Sequence, residues 1–393
     1  MSVHTPASPH TNLASRARHL SEDPVVRTRV VELISAIAIF GLVAYLGMRA
    51  LEQEMSFRFL SKAAGFGIGD QFLTHVRGTD AQWLVFVAGI ANTVRVAIFA
   101  ILLATTLGIL IGVARLSHNW LIARIALIYV ETIRNMPLLV FVVFWYTAVV
   151  LRLPRISDGY HIFGLAYLSN RALAFASLTP QDGAGLFALL ALVAIAAGAA
   201  AWYLLAGHER DRGSAMHAPW WGLGIAIGGT AGAFVATGLP LHPNLPEAGR
   251  FAYTGGLQLS PEFAGLLLGV GLYRAAFVGE VVRGGLQAVP RGQREASAAL
   301  GLSGWQSLTQ IVLPQTLRLI IPSMVGQSQV LVKATAVAVA IAYPDMLSIG
   351  RTIISNAGEA EAMFLVIMAS YLTINLLLSF VLGRVRRRWP AAI

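Results

Sequence analysis

The chain has 393 residues, of which 56% are hydrophobic and only 12% charged. A soluble domain carries roughly 25% charged residues, so this chain cannot cover its surface in water and lipid must solvate much of it. The formal net charge of +10 does not point to nucleic acid, because the basic residues sit in short loops beside apolar runs; the absence of cysteine excludes disulfides and thiolate metal sites.

Residues 1–29 are polar and hold Arg16, Arg18, Arg27 and Arg29. The apolar run 30–50 follows. It is long for the hydrophobic part of a cleaved signal peptide and lacks a small-residue cleavage site, so it reads as a first membrane helix. Further apolar runs lie near 84–113, 120–153, 184–206, 219–239, 262–286, 318–343 and 361–383. About 20 apolar residues cross the hydrocarbon as a helix, and a helix satisfies its own backbone in lipid. The expected fold is therefore all-α, an integral membrane protein with about eight spans. The third run is long enough for an interfacial helix followed by a span at about Met136–Leu153, with Pro137 at the break.

With the N-terminus inside, the inside segments hold 16 Lys and Arg against 9 in the outside segments, which carry 11 Asp and Glu. The positive-inside rule then places both termini in the cytoplasm, with the basic tail 385–393 after the last span. Arg384, Arg386, Arg387 and Arg388 mark this most strongly. The stretch 154–261 has a different texture, with Pro-, Gly- and His-bearing loops around two Ala/Gly-rich runs. Small residues let membrane helices approach closely, so this stretch reads as a hairpin inserted between two core parts, 84–153 and 262–384.

The loop after the sixth span reads Gln293-Arg294-Glu295-Ala296-Ser297-Ala298-Ala299-Leu300-Gly301, then nine residues, then Ile311-Val312-Leu313-Pro314. Ala-rich Glu295–Leu300 favours a helix, Gly301 suits its end, and a second helix from about Trp305 to Val312 would bring Pro314 near its end. The result is a helix–Gly–helix elbow, a lever suited to docking into another protein.

This loop resembles the EAA loop of binding-protein-dependent ABC permeases. Glu295, Ala296, Gly301, Ile311, Leu313 and Pro314 match that pattern in identity and spacing, Ala299 lies within it, and Ser297 replaces an alanine. Residues 273–293, 89–94 and 129–139 are similar to polar-amino-acid uptake permeases, and the eight-span length with its insertion is similar to the general L-amino-acid subgroup. The resemblance implies a type I importer core without a catalytic centre or cofactor. It also implies separate ABC ATPase subunits docking on the elbow, a homologous second permease subunit, a periplasmic amino-acid-binding protein and an amino-acid substrate. Where such permeases carry hydroxylated or polar residues after a lysine, this chain has Lys333-Ala334-Thr335-Ala336.

Charges inside membrane helices normally face a partner or a cavity. Lys333, Thr335, Arg95 and Glu280 are thus candidates for the substrate path, although Glu280 also has Arg283 at i+3 and Glu131 has Arg134. Arg95 and Lys333 have no local partner in sequence. Aromatic residues near run ends fit an interfacial belt. The scattered histidines have no metal spacing, and no Gly-rich Lys-Ser/Thr loop marks an ATPase. A stand-alone secondary transporter or channel is the competing class, but paired interrupted half-repeats are not evident and the elbow would have no purpose there.

Overall fold

The computed structural model describes residues 56–212, 217–250 and 252–388, with isolated positions between 34 and 45. The first expected span, 30–50, and the end of the basic tail lie outside the described residues. The seven other apolar runs all carry helices. Among the described residues, five helices are long and apolar enough to cross a membrane, or six if one bent pair forms a single span.

Helix α1 (Gln82–Ala114) is the longest continuous α-helix of the core. Helices α2 (Trp120–Arg134) and α3 (Leu138–Val150) are bent by 111° at the break before Pro137. Pro137 starts the second limb because its ring fixes φ and has no N–H to donate to the first. The 13 residues of α3 reach roughly 20 Å, short of the ~30 Å hydrocarbon. The expected span at 136–153 is thus the second limb of a broken element.

Helices α4 (Ala184–Arg212) and α5 (Ala218–Ala236) follow in the stretch 154–261 and pack on each other. A Cβ on Gly198 would meet the Gly222 carbonyl at 2.5 Å, and one on Gly229 would meet Ala194 at 2.7 Å. Small residues thus set the distance between these two helices. The fold was expected to be all-α, but the loops around them hold eight short strands among the described residues. Strands β1 (Tyr160–Ile162), β2 (Ala166–Leu168), β3 (Leu173–Phe175) and β8 (Leu257–Leu259) pair antiparallel in that order. Strand β4 (Ser177–Pro180) pairs with β5 (Leu241–Asn244), closing the foot of the hairpin, and β6 (Glu247–Ala248) pairs with β7 (Tyr253–Thr254).

The core is completed by α6 (Pro261–Ala288), the short α7 (Arg291–Ala299), α8 (Gly304–Ile341), α9 (Met346–Ala357) and α10 (Ala360–Arg388). Helix α8 is composite, with a wide π-turn at Ser307–Val312, an α-helical part Leu313–Ala334 and a 3-10 end Thr335–Ile341. Pro314 therefore opens the long α-helical part and does not close a short helix as expected. Proline is tolerated in a first turn, where its missing N–H removes no ladder bond.

Helices α1 and α6 pack most closely. A Cβ on Gly108 would stand 2.4 Å from Val278, and one on Gly112 would stand 2.7 Å from the Gly279 carbonyl. Around that seam Val96, Ala100, Val142, Leu266, Val270 and Leu331 form one buried cluster from α1, α3, α6 and α8. A second cluster joins Phe59, Val85, Phe86, Met346, Ile353 and Met363. The outer faces of α1 and α10 expose Leu102, Leu110, Leu372 and Leu376, which suits helices solvated by lipid.

Candidate functional site: the elbow and the buried charges

Helix α7 ends in a Schellman motif. The Leu302 N–H bonds to the Ser297 carbonyl at 3.1 Å and the Gly301 N–H to the Ala298 carbonyl at 3.0 Å. Gly301 sits at φ +74°, a conformation open to glycine and resisted by a Cβ. Ser303 then caps α8 through a reciprocal box with Gln306. The elbow is thus built from caps at its bend. Glu295, Ala296 and Ala299 are exposed, as are Leu300 at 79% and Trp305 at 73%. Leu313 is exposed at the start of the long limb, while Ile311 and Pro314 are half-buried. Ser297, where the alanine was expected, is buried, and its hydroxyl meets that of Ser307 at 2.6 Å. That contact ties the first limb to the π-turn. The elbow's second limb, from Gly304, runs without a break into the long membrane limb of α8.

The opposite end of the core is organised around Arg95. Sequence reading left Arg95 without a partner, but its guanidinium reaches Asp70 at 2.9 Å. Arg95 is buried, at 5% exposure, and lies over the Phe263 ring at 4.0 Å. Asp70 also accepts from the Ser260 hydroxyl, which caps α6. Asn92, one turn before Arg95, donates to the carbonyls of Asp70 and Pro344 at 2.8 and 2.9 Å and accepts from the Phe72 N–H. The Thr93 hydroxyl accepts from the Met346 N–H at 2.9 Å. A Cβ on Gly89 would meet the Asp345 carbonyl at 3.2 Å. The stretch 89–94 is therefore a lock that holds the start of α9 and the segment around Asp70.

Asp345 caps α9 through Ser348 at 2.8 Å. It is fully buried, and its other carboxylate oxygen has no partner among the described residues. Burial pushes its carboxyl up to about 7. Beside it lies a cavity of about 750 Å³ lined by Asp70, Arg171, Ser260, Glu262, Pro344 and Thr352, among others.

Glu280 pairs with Arg283, the partner its spacing offered, and also with Arg115 from α1. Nothing local in the sequence links Arg115 to Glu280. Glu131 and Arg134 form no ion pair among the described residues; Arg134 lies over the Phe277 ring at 5.6 Å. Lys333 is exposed and has no ion pair among the described residues, at the junction where α8 tightens into its 3-10 end. Thr335 is buried, with its hydroxyl on the Val332 carbonyl at 2.8 Å.

A bundle of membrane-length helices, one of them continuous with an exposed and rigidly capped elbow, defines a multi-pass transport permease. Residues 255–389 match the family of binding-protein-dependent transport system inner membrane components. Over 375 residues the chain is 35% identical to the putative amino-acid ABC transporter permease protein YhdX of Escherichia coli (strain K12), covering 93% of this chain and 95% of that one. It is 35% identical to the general L-amino acid transport system permease protein AapQ of Rhizobium johnstonii, covering 91% and 90%. It is also 31% identical to the glutamate/glutamine/aspartate/asparagine transport system permease protein BztB of Rhodobacter capsulatus, covering 90% and 91%. The chain belongs to this family of ABC importer permeases, whose ATP-hydrolysing subunit is a separate protein.

Proposed function

We propose that the chain forms half of the pore of an ATP-driven importer of L-amino acids, with a homologous permease subunit supplying the other half. The observation that carries this reading is the elbow, whose exposed Leu300 and Trp305 suit a cleft in an ATPase subunit and whose second limb runs into the membrane as α8. The residues Glu295, Ala296, Ala299, Gly301, Ile311, Leu313 and Pro314 are the coupling set. The elbow then faces the cytoplasm, as do both termini, in keeping with the excess of Lys and Arg on that side. The large cavity at the opposite end opens toward the binding protein. The names and coverage of the relatives support amino acids as the cargo.

Helices α4 and α5 pack chiefly on each other, which supports a peripheral place for the inserted hairpin. Lys333, exposed in the single subunit, faces the path or the second permease subunit.

The test is reconstitution. The chain, co-expressed with its second permease and ATPase, is placed in liposomes with the binding protein and assayed with radiolabelled L-amino acids. ATP-dependent uptake is expected, and Lys333→Met is expected to assemble normally while uptake falls. Purification of a stable, transport-active protein without an ATPase would overturn the reading in favour of a stand-alone transporter.

A further inference from the structure

Arg274 stands at the midpoint of α6, which runs from Pro261 to Ala288. Among the described residues it forms no ion pair, and its buried Nε has no hydrogen-bond partner. Beside its guanidinium lie the ring faces of Phe277 at 5.4 Å and Tyr273 at 5.9 Å. An unpaired cation at this depth is costly and rarely left without a task. Arg274 opens into a narrow crevice between α1, α6 and α8, whose other polar lining is Thr105, Gln327 and Ser328. Gln327 lies near the middle of α8's membrane limb, and its Oε1 is buried with no partner. The crevice thus presents an unsatisfied donor and an unsatisfied acceptor, and no carboxylate lines it. It encloses about 10 Å³, room for about one water molecule. An amino acid could enter only if α8 moved away from α6, and α8 is the helix the elbow drives.

We propose that this crevice is a substrate site closed in the present conformation. Arg274 receives the α-carboxylate of the transported amino acid and Gln327 Oε1 its ammonium. A guanidinium matches a carboxylate in shape as well as charge. With a fixed cation and no acid, the crevice selects neutral and acidic amino acids and rejects basic ones. This inference rests on the reading of the chain as an amino-acid permease and narrows its substrate class.

The chain has no cysteine, so a single Ser328→Cys reports on the crevice directly. In the assembled complex, turning over ATP, L-glutamine and L-glutamate are expected to slow its labelling by a small thiol reagent, whereas L-arginine does not. Adding Arg274→Gln removes that protection and lowers uptake roughly 10- to 100-fold, the loss of a charged hydrogen bond, while binding-protein-stimulated ATP hydrolysis persists. Arg274→Lys is expected to keep part of the uptake at a raised KM. Labelling that substrate does not alter in an actively transporting complex would overturn the proposal and leave the permease reading intact. So would a Gln variant that transports like its parent. If Arg274→Gln is lost from the membrane and Arg274→Lys transports with unchanged KM, Arg274 is a packing residue and the proposal also falls. A parental complex that moves no amino acid would instead refute the permease reading.

Discussion

The two ends of the core hold two motifs of similar sequence clarity and opposite construction. The elbow, Glu295 to Pro314, exposes Leu300, Trp305 and Leu313 and is held mainly by its own caps. The stretch Gly89–Val94 buries its polar side chains and spends each of them on a neighbouring segment. A surface left apolar but locally rigid suits a partner outside the chain, the role proposed for the elbow. A polar cluster satisfied internally is built to fix the chain to itself. A motif's clarity in sequence therefore does not tell its role; the direction in which its side chains are satisfied does.

Breaking the locked end is expected to have the largest effect. Arg95→Met strands Asp70, which is 14% exposed, in a mostly buried site. Removing one partner of such a pair costs about 3–5 kcal/mol. Thermal unfolding of the detergent-solubilised subunit, with Arg95→Met against Asp70→Asn and the double variant, measures this. The double variant is expected to be more stable than Arg95→Met alone, since no unpaired charge remains. Equal loss in all three would mean that the pair contributes nothing beyond packing.

The same end carries a pH dependence. The Asp345 carboxyl titrates near 3.9 when unfolded and is raised to about 7 in the fold. The folded state therefore holds a proton that the unfolded state has released. Stability is full below about pH 4, falls as pH rises through about 7, and then levels. The total is up to about 4 kcal/mol. Asp345→Asn keeps an N-cap and removes the titration, so its unfolding midpoint is expected to be flat over that window. A parallel slope in both proteins would assign the dependence to another group.

These two predictions also mark what sequence could and could not show. Apolar run length located the helices, because lipid demands it, and the spacing from Glu295 to Pro314 located the elbow, because caps and bends act over a few residues. The partner of Arg95 lies 25 residues earlier in a segment without periodicity, and Arg115 meets Glu280 from another helix. Such pairings are set by how helices pack, which spacing does not encode. The strands leave no trace in the sequence for another reason: each is two to four residues long, too short for alternation to register. The π-turn before Pro314 was hidden because the same proline fits the end of one helix or the start of another.

At the elbow, folding and coupling separate. Gly301→Val forces a β-branched residue to φ +74°, at a local cost of about 1–2 kcal/mol. No atom lies within 4 Å of the added Cβ, so the helices of the core have no reason to move. The subunit is expected to stay in the membrane with its unfolding temperature little changed, while ATPase co-purification and uptake fall together. Uptake at the parental rate with normal expression would show that the left-handed cap has no part in docking.

The smallest expected effect concerns Ser297, where the elbow departs from the alanine of similar permeases. Its hydroxyl donates to the Arg294 carbonyl at 2.7 Å and meets Ser307, so it staples α7 to the π-turn across the bend. Ser297→Ala removes both contacts, of which the one across the bend is worth about 1 kcal/mol. The cost is limited because Ser307 is only half-buried and can turn toward water. Yet the staple acts on the lever itself. If the elbow transmits force as a rigid body, Ser297→Ala is expected to leave the melting temperature within a few degrees while ATP hydrolysis runs ahead of uptake, raising the number of ATP consumed per amino acid moved. Ser297→Thr keeps the hydroxyl and is expected to restore the ratio. A ratio unchanged in Ser297→Ala would mean that the caps at Gly301 and Ser303 hold the bend without the staple.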